Sequence, residues 1–329
     1  MSRGIAMYES LIAHCKNFHL YIFAFDDVSF DYLSKNSPEQ ITVISLEEFE
    51  DNELLSVKEG RTKGEYCWTS TSSTILYCIE KFELEHCTYL DADLYFFSDP
   101  RILLKEVSDG KTLITSHRYT PIYNQDKLSG KYCVQFITFW NNSESMEILR
   151  WWRGACIDWC YARAEDGKFG DQKYLDNWQR DFKNVHVLEY IGGGVAPWNL
   201  QQYEFEQNND KIVGIQKSDK TRFELVFYHF HALKFLENNR YELSVYELDE
   251  ADIEYIYKPY LVHLIKIHNK LNDVGFRNII QSEENLSLND YSIIDLIKLL
   301  VNDWRIPIRY LKIRKDSKKN KYHRDYFIK

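Results

Sequence analysis

An α/β domain with a largely parallel sheet, extended by a helical module at its C-terminal side, is the architecture this sequence of 329 residues predicts. Three observations carry that prediction. Short apolar runs alternate with amphipathic helical patterns over the first two thirds of the chain. From about residue 240 the strand signals stop and long apolar-periodic segments take over. A hydrophobic fraction of 44% over this length can fill one large core.

The elements follow in order. Residues 5–15 read as an amphipathic helix. Residues 19–25 (HLYIFAF) form an apolar strand ending at Asp26-Asp27, and residues 41–44 form a second. Residues 71–82 are helical, with Ser and Thr clustered at the start as caps. HCTYL at 86–90 is a short buried strand that runs straight into Asp91-Ala92-Asp93. Strands continue at 112–115 and 134–139, and residues 144–164, with Trp151, Trp152 and Trp159, read as a helix. Residues 250–272 and 288–304 supply the helical module. The chain thus divides into a domain at 1–239, a helical module at 240–311 and a basic tail at 312–329 that is expected to be mobile.

Charge is unevenly placed. Residues 303–329 hold ten Lys or Arg against three Asp, a balance of +7, so the overall −9 leaves −16 on the rest. An acidic body argues against nucleic acid, and a basic tail on it suggests an anionic membrane surface. The aromatic fraction of 16% permits stacking on sugars and bases without requiring it. The seven cysteines are odd in number and lack CxxC spacing. Cys156 and Cys160 lie one helical turn apart, as two small hydrophobes would. Free thiols in a reducing cytoplasm are expected, rather than a disulfide framework or a zinc site. The opening MSRGIAMYES lacks a signal-peptide pattern, and no apolar run reaches the length of a membrane span.

Asp91 and Asp93 are the most informative pair. Two carboxylates at the mouth of an apolar strand raise each other's pKa or recruit a cation. In extended backbone residues i and i+2 face the same way, so both can converge on one ion. Carboxylates select hard divalent ions such as Mg²⁺ or Mn²⁺. Ligands of open α/β sheets bind beyond the strand ends, where such an ion can bridge diphosphate oxygens. The plainer reading is that both aspartates cap the next turn. A phosphatase-type DxD ranks lower, because that motif closes the first strand of its domain and two strand candidates precede this one.

YLDADLYFFSDP resembles the donor-metal motif of GT-A glycosyltransferases, especially retaining enzymes of the family 8 type and their bacterial surface-glycan relatives. Three further segments match in order. Gly170-Asp171-Gln172-Lys173-Tyr174-Leu175 resembles the family's DQ..L segment, and Gly194-Val195-Ala196-Pro197-Trp198-Asn199-Leu200 its NVA.WNL segment. Tyr228-His229-Phe230-His231-Ala232-Leu233-Lys234 resembles the late HF.G segment. Four motifs in order over residues 20–235 are far more specific than any one of them.

The resemblance implies a GT-A, Rossmann-like mixed sheet with flanking helices. It implies metal-dependent transfer of a sugar, with retention, from a nucleotide-diphosphate donor (a UDP-sugar favoured). The acceptor would be a surface glycan of lipopolysaccharide or capsule type, or a lipid-linked acceptor. Mn²⁺ or Mg²⁺ would be held by Asp91, Asp93 and His229, with His231 as the alternate, and Lys234 would meet the diphosphate. Asp171 and Gln172 would line the reacting junction. There the implied chemistry is a front-face displacement with donor phosphate as the base, and Asp171 as nucleophile is the alternative. Gly193, Trp198 and Asn199 would face the acceptor; Gly192-Gly193-Gly194 stands where relatives carry Tyr-Asn. Trp68, in the basic and aromatic stretch at 61–69, would contact the donor nucleotide, or else be a buried ring in a bland loop.

In the family a central strand precedes the helix that matches residues 2–15. The resemblance therefore implies a first strand upstream of this sequence, with residues 19–25 as the family's second. Two other functions compete. A sugar-nucleotide pyrophosphorylase shares the sheet type but needs a Gly-rich basic loop near its N-terminus, which this sequence lacks. A catalytically inactive scaffold at the membrane surface would not need intact DxD, DQ and His motifs.

Overall fold

In the computed structural model, which describes residues 1–276, 312–313 and 315–328, helices and five small sheets form a mixed α/β structure. The first helix, Ser2–His14, leads to β1 (Leu20–Ala24) and β2 (Ile41–Ser45), which pair in parallel around the helix Asp27–Asn36. Helix Lys63–Lys81 then leads to β3 (His86–Leu90) and β4 (Leu94–Phe96). β5 (Thr112–Ser116), β6 (Tyr132–Trp140) and β7 (Val185–Val187) complete a central sheet of order β3-β6-β5-β7. Among the described residues β1 pairs only with β2, and β3 only with β6.

The expected largely parallel sheet is corrected: in the central sheet β6 runs antiparallel to both β3 and β5, and β5 and β7 are its one parallel pair. The reason lies in the connections. A parallel pair needs a crossover of a dozen or more residues, usually through a helix. The link from β5 to β6 holds only short turns, whereas helix Ser143–Asp158 lies between β5 and β7.

Two helix boundaries also differ from expectation. Thr62 and Glu65 form a reciprocal capping box that starts the helix at Lys63. The hydroxyls from Thr69 to Thr74 lie instead on buried mid-helix positions. Thr69 and Thr74 return their hydroxyls to the Glu65 and Thr71 carbonyls, whereas the buried Ser70 and Ser72 hydroxyls find no partner among the described residues. Helix Ser143–Asp158 stops at Trp159 rather than reaching residue 164, and the Tyr174 hydroxyl donates to the Ala155 and Trp159 carbonyls there.

β8 (Tyr203–Asn208), β9 (Lys211–Gln216) and β10 (Arg222–Glu224) form an antiparallel meander. β11 (Phe227–His229) then pairs with β4, carrying the late His segment back to the DxD turn. β12 (Lys234–Leu236) and β13 (Arg240–Glu242) make a hairpin, so residues 240–242 are strand rather than the start of a helical module. Residues 250–273 are helical as expected, with a π-turn at Ile253–Tyr257. They share a core with β11 and the residue after it: Tyr257, Tyr260 and Leu264 lie in one cluster with Tyr228 and Phe230. The helix expected at 288–304 falls outside the described residues.

The mobile tail is corrected as well. β14 (Lys321–His323) pairs with β13, and Phe327 is 2% exposed beside Tyr241. Asn320 donates to the Ser244 and Tyr246 carbonyls, and Tyr123 donates to Asp316 at 2.9 Å. Phe327 is buried and Ile313 and Tyr322 are half-buried, together with Asp316, Ser317 and Asn320, while Lys315, Lys318 and Lys319 stay exposed. No helix among the described residues is long and apolar enough to cross a membrane.

Phe327→Ala should lower unfolding stability by about 3–5 kcal/mol, the usual range for emptying a buried aromatic site. Urea unfolding would check this, and an unchanged midpoint would mean the closing segment does not hold the hairpin.

Candidate metal centre

After Leu90 the chain turns within three residues. The Leu94 N–H donates to the Asp91 carbonyl at 3.1 Å, and the Asp91 N–H donates to the Gln135 carbonyl at 3.0 Å. β11 lies against β4 with His229 opposite Leu94, and the Phe230 N–H donates to the Asp93 carbonyl at 3.0 Å. His229 Nε2 consequently stands 3.0 Å from Asp93 Oδ1 and 3.7 Å from Asp91 Oδ2. One ligand atom from each of the three lies within 4.8 Å of the others. The carboxylates keep 29% and 22% of their side-chain surface exposed, so the cluster is open on one side. Two carboxylates and an imidazole suit a divalent cation that keeps further positions for other ligands.

The donor set is oriented from behind. His229 Nδ1 lies 2.6 Å from Gln135 Oε1. A carboxamide oxygen only accepts, so Nδ1 carries the hydrogen and Nε2 faces the carboxylates. The Gln135 amide nitrogen is buried without a partner, because the oxygen is turned to His229. Trp198 packs edge-on against His229 with ring centroids 5.4 Å apart.

Electrostatics ties these groups together. Desolvation opposes a charge on His229, but Asp93 and Asp91 outweigh it and raise its pKa well above the ordinary value. Desolvation also opposes ionisation of Asp93, yet the charges of His229 and Arg3 hold it below the usual carboxylate range. Asp91 goes the other way, raised by desolvation and by Asp93 against the pull of His229. A proton on the His229 imidazole and a cation held by Asp91 and Asp93 would therefore compete.

Asp171 lies buried nearby, its carbonyl accepting from Trp152 Nε1 at 2.9 Å. Burial first, then the Asp91 charge, push its carboxyl up to about 7, against the Thr71 hydroxyl and the Gln172 N–H. The Tyr89 hydroxyl donates to Asp91 Oδ1 at 2.9 Å. Burial and the charges of Asp91 and Asp171 raise the Tyr89 pKa, which puts this phenol in the field of both acids. Gln172 uses its amide to hold the Ser129 carbonyl at 2.7 Å, a positioning contact. Trp68 is 38% exposed, its ring lying over Gly170 beside Asp171. His231 is exposed, outside the three-ligand cluster, one turn before β12 and Lys234.

Gly193, Trp198 and Asn199, the residues the resemblance assigns to the acceptor, are all buried. A Cβ at Gly193 would come within 2.8 Å of the Leu188 and Leu103 side chains. Trp198 donates to the His117 carbonyl, and fully buried Asn199 bonds His117, Gly194 and Ala196 backbone groups. Of the three, Trp198 packs against His229.

No family model matches the chain. It is 33% identical over 264 residues to the uncharacterized protein YfnD of Bacillus subtilis (strain 168), covering 78% of this chain and 83% of that relative. The chain belongs to the YfnD family. The uncharacterized protein YfnF of the same organism is 28% identical over 294 residues, covering 86% of this chain and 95% of that protein.

Four residues of this YfnD-family chain went unnoticed in sequence: Arg3, Tyr89, Gln135 and Cys133, whose thiol reaches His229. The period-two pattern of strands could have flagged Tyr89, two residues before Asp91. Nothing local marks Gln135, which meets His229 across 94 positions.

Gln135→Leu removes the acceptor that sets the His229 tautomer and should weaken Mn²⁺ binding about 10- to 100-fold, read by electron paramagnetic resonance of free Mn²⁺. Unchanged affinity would show that His229 needs no such partner. Asp171 gives a stability test. Its folded pKa near 7 lies above an unfolded value of about 4, so the folded state binds the extra proton between them. Its contribution is most favourable below about pH 4 and is lost as pH rises to 7. Asp171→Asn should therefore raise Tm at pH 8 by about 2–4 °C and flatten the fall between pH 5 and 8. An equally steep fall in the variant would assign the pH dependence elsewhere.

Proposed function

We propose that this chain is a metal-dependent glycosyltransferase with a GT-A type nucleotide-sugar domain. It moves a sugar, with retention, from a UDP-sugar or a similar nucleotide-diphosphate donor to a bacterial surface glycan. The observation that carries the reading is the Asp91–Asp93–His229 cluster, with its imidazole tautomer set by Gln135, at the end of a sheet strand. Mn²⁺ or Mg²⁺ held there would neutralise charge on a departing nucleoside diphosphate.

The remaining groups fit that chemistry. Tyr89 holds Asp91, and Asp93 is kept ionised by His229 and Arg3. Asp171, with a pKa of about 7, can take or give a proton near neutrality in the acceptor-hydroxyl step. Gln172 fixes the 126–130 loop against the Asp171 turn, and exposed Trp68 offers a ring beside that turn for a sugar face. Lys234 stands on β12 close behind the late His segment, a second cation for the phosphates. Action in the cytoplasm at the membrane face is part of the same proposal, with Lys315, Lys318 and Lys319 as exposed contacts.

Thermal stabilisation by UDP and GDP, each with and without Mn²⁺, tests the reading. One nucleotide should raise Tm only with the metal, and Asp93→Asn should abolish that rise while keeping the fold. His229→Ala should weaken it more than His231→Ala. Stabilisation that ignores Mn²⁺, or survives Asp93→Asn, would remove the assignment.

A further inference from the structure

A second positive group, besides His229, stands at the cluster, from the other end of the sequence. Arg3 sits in the first turn of helix Ser2–His14, which is anchored by Ser2 on His268 at 3.0 Å and by Glu9 on His263 at 2.5 Å. A Cβ on Gly4 would lie 3.9 Å from that of Ala92, so this turn is pressed against the DxD turn. The Arg3 guanidinium is 3.7 Å from Asp93 Oδ2, donates to the Leu233 carbonyl at 2.5 Å, and lies 5.4 Å from the Phe235 ring centroid. It thus spans the DxD turn and the turn that leads to Lys234, and 30% of its side chain is exposed. Among the described residues it is the one Lys or Arg in an ion pair with the cluster.

The geometry is that of a held but incompletely used cation. At 3.7 Å the contact with Asp93 is an ion pair rather than a hydrogen bond, and one hydrogen bond, to Leu233, engages the five-donor fork. Such a fork matches phosphate oxygens. A divalent ion at Asp93 would be repelled by the guanidinium, since both are positive and share one carboxylate. A diphosphate reverses the sign, because its negative oxygens are attracted by both cations.

We propose that Arg3 makes metal and diphosphate binding mutually dependent: it weakens capture of the bare ion and becomes a phosphate ligand once a diphosphate arrives. This rests on the metal-site reading above and adds the order of binding. By linkage, any ligand pair coupled through Arg3 must be coupled reciprocally.

The experiment uses Mn²⁺ alone, followed by paramagnetic resonance, and UDP and base-free methylenediphosphonate at saturating Mn²⁺, followed by calorimetry. Arg3→Ala should tighten Mn²⁺ alone and weaken both diphosphates, each by about fivefold or more. Arg3→Lys keeps the charge and should return Mn²⁺ affinity to the wild-type value while restoring the diphosphates only in part. Opposite signs on the two ligands cannot come from a loosened helix, which would weaken both. Parallel weakening, or no change in a wild type that binds Mn²⁺, overturns the role of Arg3. A wild type that binds no Mn²⁺ overturns the metal centre itself, and this inference with it.

Discussion

Two carboxylates one residue apart, at the end of a strand and against a fully formed core, cannot both stay charged unless positive charge is brought to them. Much of the structure around residues 91–93 serves that requirement. β11 is laid on β4 so that His229 Nε2 meets both acids, and the first helix is laid across the same turn so that Arg3 does. Gln135, from the centre of β6, fixes which imidazole nitrogen faces the acids. The interior Trp198 then packs against the His229 ring. A buried charge that loses its partner costs several kcal/mol, so these elements are mutually dependent.

The local elements were readable in the chain. Strands at 20–24, 41–45, 86–90, 112–116 and 132–140 follow from apolar runs bounded by turn residues, and the DxD turn follows from its place after one of them. The three candidate metal ligands were also readable, because their residue types and order are distinctive. Less readable was everything set by non-local pairing. Strand direction in the central sheet depends on what each connection contains, and a period of two is the same in parallel and antiparallel strands.

Residue type alone does not show what a side chain is engaged with. Gly193 leaves room for the Leu188 and Leu103 side chains, the Trp198 indole donates to the His117 carbonyl, and the Asn199 amide bridges three backbone groups. The basic tail reads as mobile because its charge count hides the Phe327 ring, which packs against Tyr241 and Tyr322. Charge reports on solvation, whereas a few buried rings decide whether a segment docks.

β4 and β11 form a sheet of only two strands and three residues each, while β6 is buried along nearly its whole length. Opening β11 would separate His229 from Asp93 and leave β3, β5 and β6 paired. The centre thus rests on a short ladder that is separate from the main sheet in hydrogen bonding but joined to it by the Phe227 ring stacked on Phe136 of β6. On the timescale of amide exchange the backbone at 94–96 and 227–229 would lose its protons sooner than β6. A ligand bridging the two halves would act as a clasp, slowing exchange there and leaving the rest of the sheet unchanged.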